Sequence, residues 1–274
     1  MDAVRRVLGE RRIGHAGTLD PAASGMLVVL VGRATRLTRF IGMLPKSYDG
    51  TVVFGWETDT DDATGEPLAA PEEAWRRLTQ ADIDRALAAV AAQPTQLPPA
   101  VSAKKVDGVR AYRRARRGES VTLAPVPVRI ERLDAEPWSS AENALRITVT
   151  CSSGTYVRAI ARDLGRAAGT AAHLGALRRT AVGPWRLDDA VSLREVMAGS
   201  EGTGVADRLR PMREALAHLP SITLPAEAAS RFAHGQKLPA DAPEGAVAVY
   251  DEAHLVGVAD AKDGVLHPDV VLVA

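Results

Sequence analysis

Asp20 sits in a segment suited to holding a carboxylate in place. Residues 14–27 read Gly-His-Ala-Gly-Thr-Leu-Asp-Pro-Ala-Ala-Ser-Gly-Met-Leu and lead into an apolar run of strand length, Met26 to Val31. A residue before proline is pushed away from helical backbone angles, which constrains Asp20 ahead of Pro21. Gly14, Gly17 and Gly25 permit backbone angles and close approaches that a side chain would forbid. A carboxylate held in this way can act as a nucleophile or a base. A free aspartate titrates near ~3.9, so it is ionised at neutral pH, whereas burial in a closed site neutralises it unless a cation stands nearby. Taken alone, the segment equally describes a tight connection with an aspartate on the surface.

The rest of the composition narrows the chemistry. The chain has 274 residues, 46% hydrophobic, enough for one large domain and a small one. Cys151 is the only cysteine, which excludes an internal disulfide framework and a cysteine-rich zinc site. It reads as a small buried hydrophobe. The six histidines lack metal-ligand spacing, and no cofactor is expected. A carboxylate-dependent hydrolase or phosphotransferase would need a metal or a second acid, and the Asp20 segment supplies neither. No signal peptide and no apolar run of membrane-spanning length appears, so a cytoplasmic location is expected.

Basic and acidic residues balance at 34 each, which argues against a surface that coats nucleic acid throughout. The distribution is uneven. Between Lys104 and Arg117 lie seven basic residues, opposed only by Asp107, while the stretch from Glu57 to Glu73 is acidic. The basic cluster fits local docking of RNA, and fits a solvated helix face as well.

Several elements can be read directly. Met1 to Arg12 resembles a short basic helix, and Lys46 to Gly55 a strand. Thr79 with Asp82 three residues on predicts a capped, alanine-rich helix that ends before Leu97-Pro98-Pro99. Val128 to Leu133 and Ala144 to Cys151 alternate like paired strands, and Thr155 to Ala168 reads as a helix stopped by Gly169. Pro225 to His234 reads as another helix, with short strands at 246–250, 255–259 and 270–273. Strands and helices interleave without a regular βαβ period. The expected class is therefore α+β, with a mixed, mainly antiparallel central sheet flanked by helices.

Five segments in order resemble the TruB family of tRNA pseudouridine synthases: GHAGTLDPAASGMLVVLVGRATR, PKSYDGTVVFGWETDTDDATG, PPAVSAKKVDGVRAYRRARRGE, SSGTYVRAIARDLG and AHLGALRRTAVG. The resemblance spans most of residues 1 to about 188. It implies isomerisation of uridine 55 in the tRNA T loop, with Asp20 as the catalytic carboxylate. It implies that Arg158 is the cation beside Asp20 and that Tyr48 packs on the target base and takes or relays its C5 proton. Leu177 would be the apolar wall opposite. His15 would stack in the space left by the extruded nucleotide, with Gly17 alongside. Residues 98–125 resemble the family's thumb insertion, whose Lys104, Lys105, Arg113 and Arg114 would meet phosphates. The expected domains are a catalytic domain over 1–219 and a small β-rich, PUA-like domain over 220–274 that touches the acceptor end. The family pattern normally opens with a strand carrying a Lys-Pro pair, whereas Met1-Asp2-Ala3-Val4 already matches the helix that follows it. The alternative expectation is thus a tRNA-binding or RNA-folding protein with little or no turnover.

Overall fold

The computed structural model describes residues 1–101, 123–198 and 204–272, together with the backbone of 105–106 and 109–110. The chain forms two compact units. One comprises Met1–Thr18, Leu27–Met43 and Ala190–Ala274; the other comprises Leu19–Met26 and Leu44–Asp189.

The second unit is built on a six-stranded sheet. Its strands are β1 (Ser24–Gly25), β2 (Lys46–Phe54), β3 (Ile130–Ala135), β4 (Ala144–Cys151), β5 (Ala172–Val182) and β6 (Trp185–Arg186). The order is β6-β5-β2-β4-β3; all these neighbours are antiparallel, while β1 pairs parallel with β5. The period of two along β2 and β4 sends Val52, Phe54, Leu145, Ile147 and Val149 to one face. Two helices, α1 (Gln80–Ala91) and α2 (Val157–Ala168), cover that face with Ile83, Val90, Ile160 and Leu164. The opposite face carries Asp49, Arg146 and Arg178 exposed. The Thr79–Asp82 capping box closes α1 at its start. The backbone N–H of Tyr156, which precedes α2, donates to the Gln96 side chain at 2.9 Å.

Segment 98–125 leaves and returns through a short antiparallel pair, Thr95–Gln96 with Val126–Pro127. Within it, Lys105–Val106 and Val109–Arg110 pair antiparallel. The expected phosphate contacts of Lys104, Lys105, Arg113 and Arg114 depend on side chains outside the described residues.

In the first unit the opening helix spans Asp2–Leu8 and stops at Gly9, which is left-handed at φ 63°, so it is shorter than the basic run that announced it. Ile13–Ala16 pairs antiparallel with Val28–Val31. That second strand begins later than the apolar run, because the Met26 N–H is engaged elsewhere, on the Arg179 carbonyl at 2.9 Å. A five-stranded sheet drawn from residues 221–271 encloses Phe232 of helix Ala226–Ala233 together with Leu238, Val247 and Leu266. No described helix is long and apolar enough to cross a membrane.

The core face of β2 contains a cation. Lys46 is 6% exposed and donates to the Leu44 carbonyl at 2.7 Å. Burial, with help from the Arg179 guanidinium, lowers its pKa to about 8. Burial also pushes the Cys151 thiol up to about 11, so it remains an uncharged thiol at neutral pH. A lysine lowered on folding releases its proton from the native state first. Between about pH 8 and 10.5 the unfolded chain therefore binds more protons, and stability rises with pH. Chemical unfolding of wild type and Lys46→Met at pH 7 and pH 9.5 is expected to show the difference moving in favour of wild type by roughly 1–3 kcal/mol. A pH-independent difference contradicts the buried charge.

Candidate active site

The carboxylate of Asp20 and the guanidinium of Arg158 meet in the second unit. Arg158 Nε donates to Asp20 Oδ2 at 2.8 Å, and its Nη2 to Oδ1 at 3.1 Å. This two-point contact fixes the carboxylate in orientation as well as position, which a lysine could not do. The Arg158 side chain is 6% exposed, whereas that of Asp20 is 37% exposed. The cation is thus buried behind an acid that faces a cleft. That cleft is narrow, with a volume of about 20 Å³, and is bordered by Asp20, Ala23, Asp62, Arg158, Leu174 and Leu177. A wider groove of about 550 Å³ lies near Asp49, Asp134 and Arg146. Those groups are exposed, so the Asp20 cleft is the better candidate for chemistry.

Helix periodicity explains how Arg158 is held. Arg158, Arg162 and Arg166 recur every four residues on α2 and face the acidic segment after β2. Arg158 reaches Asp62 at 3.6 Å and donates to the Thr60 carbonyl at 2.8 Å and the Val101 carbonyl at 3.1 Å. Arg162 pairs with Asp61 at 2.7 Å, and Arg166 with both carboxylate oxygens of Glu57 at 2.7 Å. Burial pushes the Asp61 carboxyl up, offset by Arg162. Burial also acts upward on Asp62, but hydrogen bonds from Thr64 and Thr60 prevail and hold its carboxyl below the usual range. The acidic segment is therefore a set of counter-ions for one helix face.

Asp61, Asp62, Arg162 and Arg179 were not singled out by the sequence reading. The available signal was the i, i+4, i+8 spacing of the arginines against the run Asp59-Thr60-Asp61-Asp62.

Tyr48 lies on the helix-facing side of β2, half-buried against the core. Its phenol is pushed up, first by burial and then by Cys151, while the Arg179 guanidinium acts in the opposite direction. Leu177 is half-buried, paired with Gly50 of β2, and lines the Asp20 cleft. His15 and Gly17 belong to the first unit. His15 pairs with Val29, and its Nδ1 is buried with no hydrogen-bond partner among the described residues. No described cluster of three or more His, Cys, Asp or Glu side chains is placed to hold a metal ion.

Comparison with known proteins shows the family of the chain. The N-terminal domain profile of TruB family pseudouridylate synthase matches residues 5–157, more than half of the chain. The chain belongs to the TruB family. Two further profiles, the tRNA pseudouridylate synthase B C-terminal domain and the pseudouridine synthase II TruB C-terminal region, match 158–217 and 220–272. The tRNA pseudouridine synthase B of Gloeobacter violaceus is 45% identical over 98% of this chain and 92% of its own length. That of Thermobifida fusca is 40% identical over 98% and 91%. The Cbf5-Nop10-Gar1 complex contains a chain of the same fold, with a TM-score of 0.74 at 21% identity over 98% of this chain and 79% of that one.

The hydrogen bonds on Asp62 predict its energetic weight. Replacing it with alanine removes the acceptor for the Thr60 and Thr64 hydroxyls and the Thr64 N–H, and a negative charge near Arg158. Asp62→Ala is expected to lower unfolding stability by about 2–4 kcal/mol. A loss below ~0.5 kcal/mol, typical of an exposed acid, contradicts this account.

Proposed function

We propose that this chain converts uridine 55 in the T loop of tRNA to pseudouridine, with Asp20 as the catalytic carboxylate. The observation that carries this reading is the two-point Asp20–Arg158 pair at the edge of a cleft, in a chain of the TruB family. In the reaction the C1′–N1 bond breaks, the freed base turns, a C1′–C5 bond forms, and the C5 proton leaves while N1 regains one. Electrons balance without an oxidant or a reductant. Asp20, aimed by Arg158, supplies the carboxylate oxygen that assists departure of the base. Tyr48 stacks on the base, a contact worth roughly 1–3 kcal/mol, and its hydroxyl takes or relays the C5 proton. Leu177 confines the loose ring from the apolar side.

The target base is stacked within the T loop, so extruding it costs a few kcal/mol. Lys104, Lys105, Arg113 and Arg114 of the thumb-like insertion offset that cost through phosphate contacts that weaken as salt rises. His15 fills the space the base vacates, with Gly17 allowing close approach. Residues 1–219 form the catalytic domain, and 220–274, PUA-like, contact the acceptor end. The enzyme works in the cytoplasm.

Tritium release from a T-arm RNA labelled at C5 of the target uridine tests the assignment. Asp20→Asn is expected to abolish release while T-arm affinity changes less than about tenfold. Release at the wild-type rate contradicts the assignment. Binding without release by wild type favours an RNA-binding or RNA-folding role.

A further inference from the structure

Arg179 is the largest fully buried side chain among the described residues, at 1% exposure, and the reaction described above does not use it. A shift of register on β5 decides where it points. Leu174 pairs with Val52 and Ala176 with Thr51, so Gly175 is an extra residue in the ladder. An unshifted strand would set Ala176 against Gly50 and Arg178 against Tyr48. The bulge instead sets Leu177 against Gly50 and Arg179 against Tyr48, and leaves Arg178 exposed. Bulges commonly re-aim side chains in this way beside active sites.

Arg179 also holds the outgoing end of the Asp20 loop. Its Nε donates to the Met26 carbonyl at 2.7 Å, and its own carbonyl accepts the Met26 N–H at 2.9 Å. Gly25 is paired with it in β1, and a Cβ at Gly25 would stand 2.2 Å from the Arg179 carbonyl oxygen. The loop exit is therefore pinned to the same residue that faces Tyr48 from the neighbouring strand.

We propose that Arg179 is a positioning residue for the isomerisation, orienting the Tyr48 hydroxyl and fixing it relative to the Asp20 loop. This inference rests on the role assigned to Tyr48 above. A guanidinium can only donate, so it accepts no proton from the phenol and stabilises negative charge on the phenol oxygen. Around Tyr48, Arg179 from β5 opposes the upward influence of burial, of Cys151 on β4 and of Asp20 on its loop. Lys46, two residues before Tyr48 on β2, is a second cation near Arg179. Arg179 thus sets how readily the phenol gives up and accepts a proton.

The test is a titration of Tyr48. Ring-labelled tyrosine is followed by NMR in wild type, Arg179→Lys and Arg179→Gln, and the Tyr48 signal is assigned among the four tyrosines by its loss in Tyr48→Phe. Arg179→Gln is expected to raise the Tyr48 pKa by roughly one unit or more, and Arg179→Lys by less. The tritium-release rate should fall about tenfold or more in Arg179→Gln, with T-arm affinity within a few-fold. If Arg179→Gln does not fold, the comparison of Arg179→Lys with wild type decides. An unchanged Tyr48 titration in the folded variants overturns the proposal. Full turnover by Tyr48→Phe instead defeats the role given to Tyr48, while the titration still reports whether Arg179 acts on it.

Discussion

A buried guanidinium that grips both oxygens of one half-buried carboxylate organises the site. Arg158 is nearly inaccessible to water, and its donors go to Asp20, Thr60 and Val101. Burying a cation costs several kcal/mol unless it is paired and hydrogen-bonded. The fold meets that cost with more than one anion, because Asp62 stands close to the same Nε that binds Asp20. Arg158 is therefore held from behind by the acidic segment and presents its remaining valence to Asp20. The carboxylate needs little support of its own, since the loop only has to bring it to a cation already in place.

The sheet adds a second constraint, a matter of register. Side chains on a strand alternate faces, so inserting a single residue exchanges which of them face the helices. Gly175 makes that exchange on β5, and its effect is to set Leu177 and Arg179 beside the row that carries Tyr48 and Gly50. The parallel pairing of Ser24–Gly25 with Arg178–Arg179 then ties the Asp20 loop to this same strand. Helix α2, strand β5 and the loop converge on one cleft for separate physical reasons: charge pairing, strand register and backbone hydrogen bonding.

Much of this was legible in the sequence, and the remainder has identifiable causes. The Thr79 cap, the antiparallel pair Val128–Leu133 and Ala144–Cys151, and the Gly169 stop rest on local rules of capping and alternation. The structure places closely matching elements at Gln80–Ala91, Ile130–Ala135, Ala144–Cys151 and Val157–Ala168. The opening helix was overextended because its basic residues continue past the left-handed Gly9. Strand β5 escaped the pattern rules because its bulges break the period of two that marks a strand. In the site, Asp20 stands out through its glycines and proline. Arg179 does not, because Tyr48 and Met26, which surround it, lie far away in the chain; Asp62 is bonded locally by Thr60 and Thr64, but its approach to Arg158 is equally distant in sequence.

The account turns on whether Arg158 acts through its two-point grip on Asp20 and not merely through its charge. Arg158→Lys keeps the charge and removes the fork, so single-turnover rates on a T-arm RNA measure that difference directly. The predicted result is a rate about 10–100-fold below wild type, matching the loss of about 1.5–3 kcal/mol of charge-assisted hydrogen bonding, with RNA affinity nearly unchanged. A rate equal to that of wild type would contradict the account.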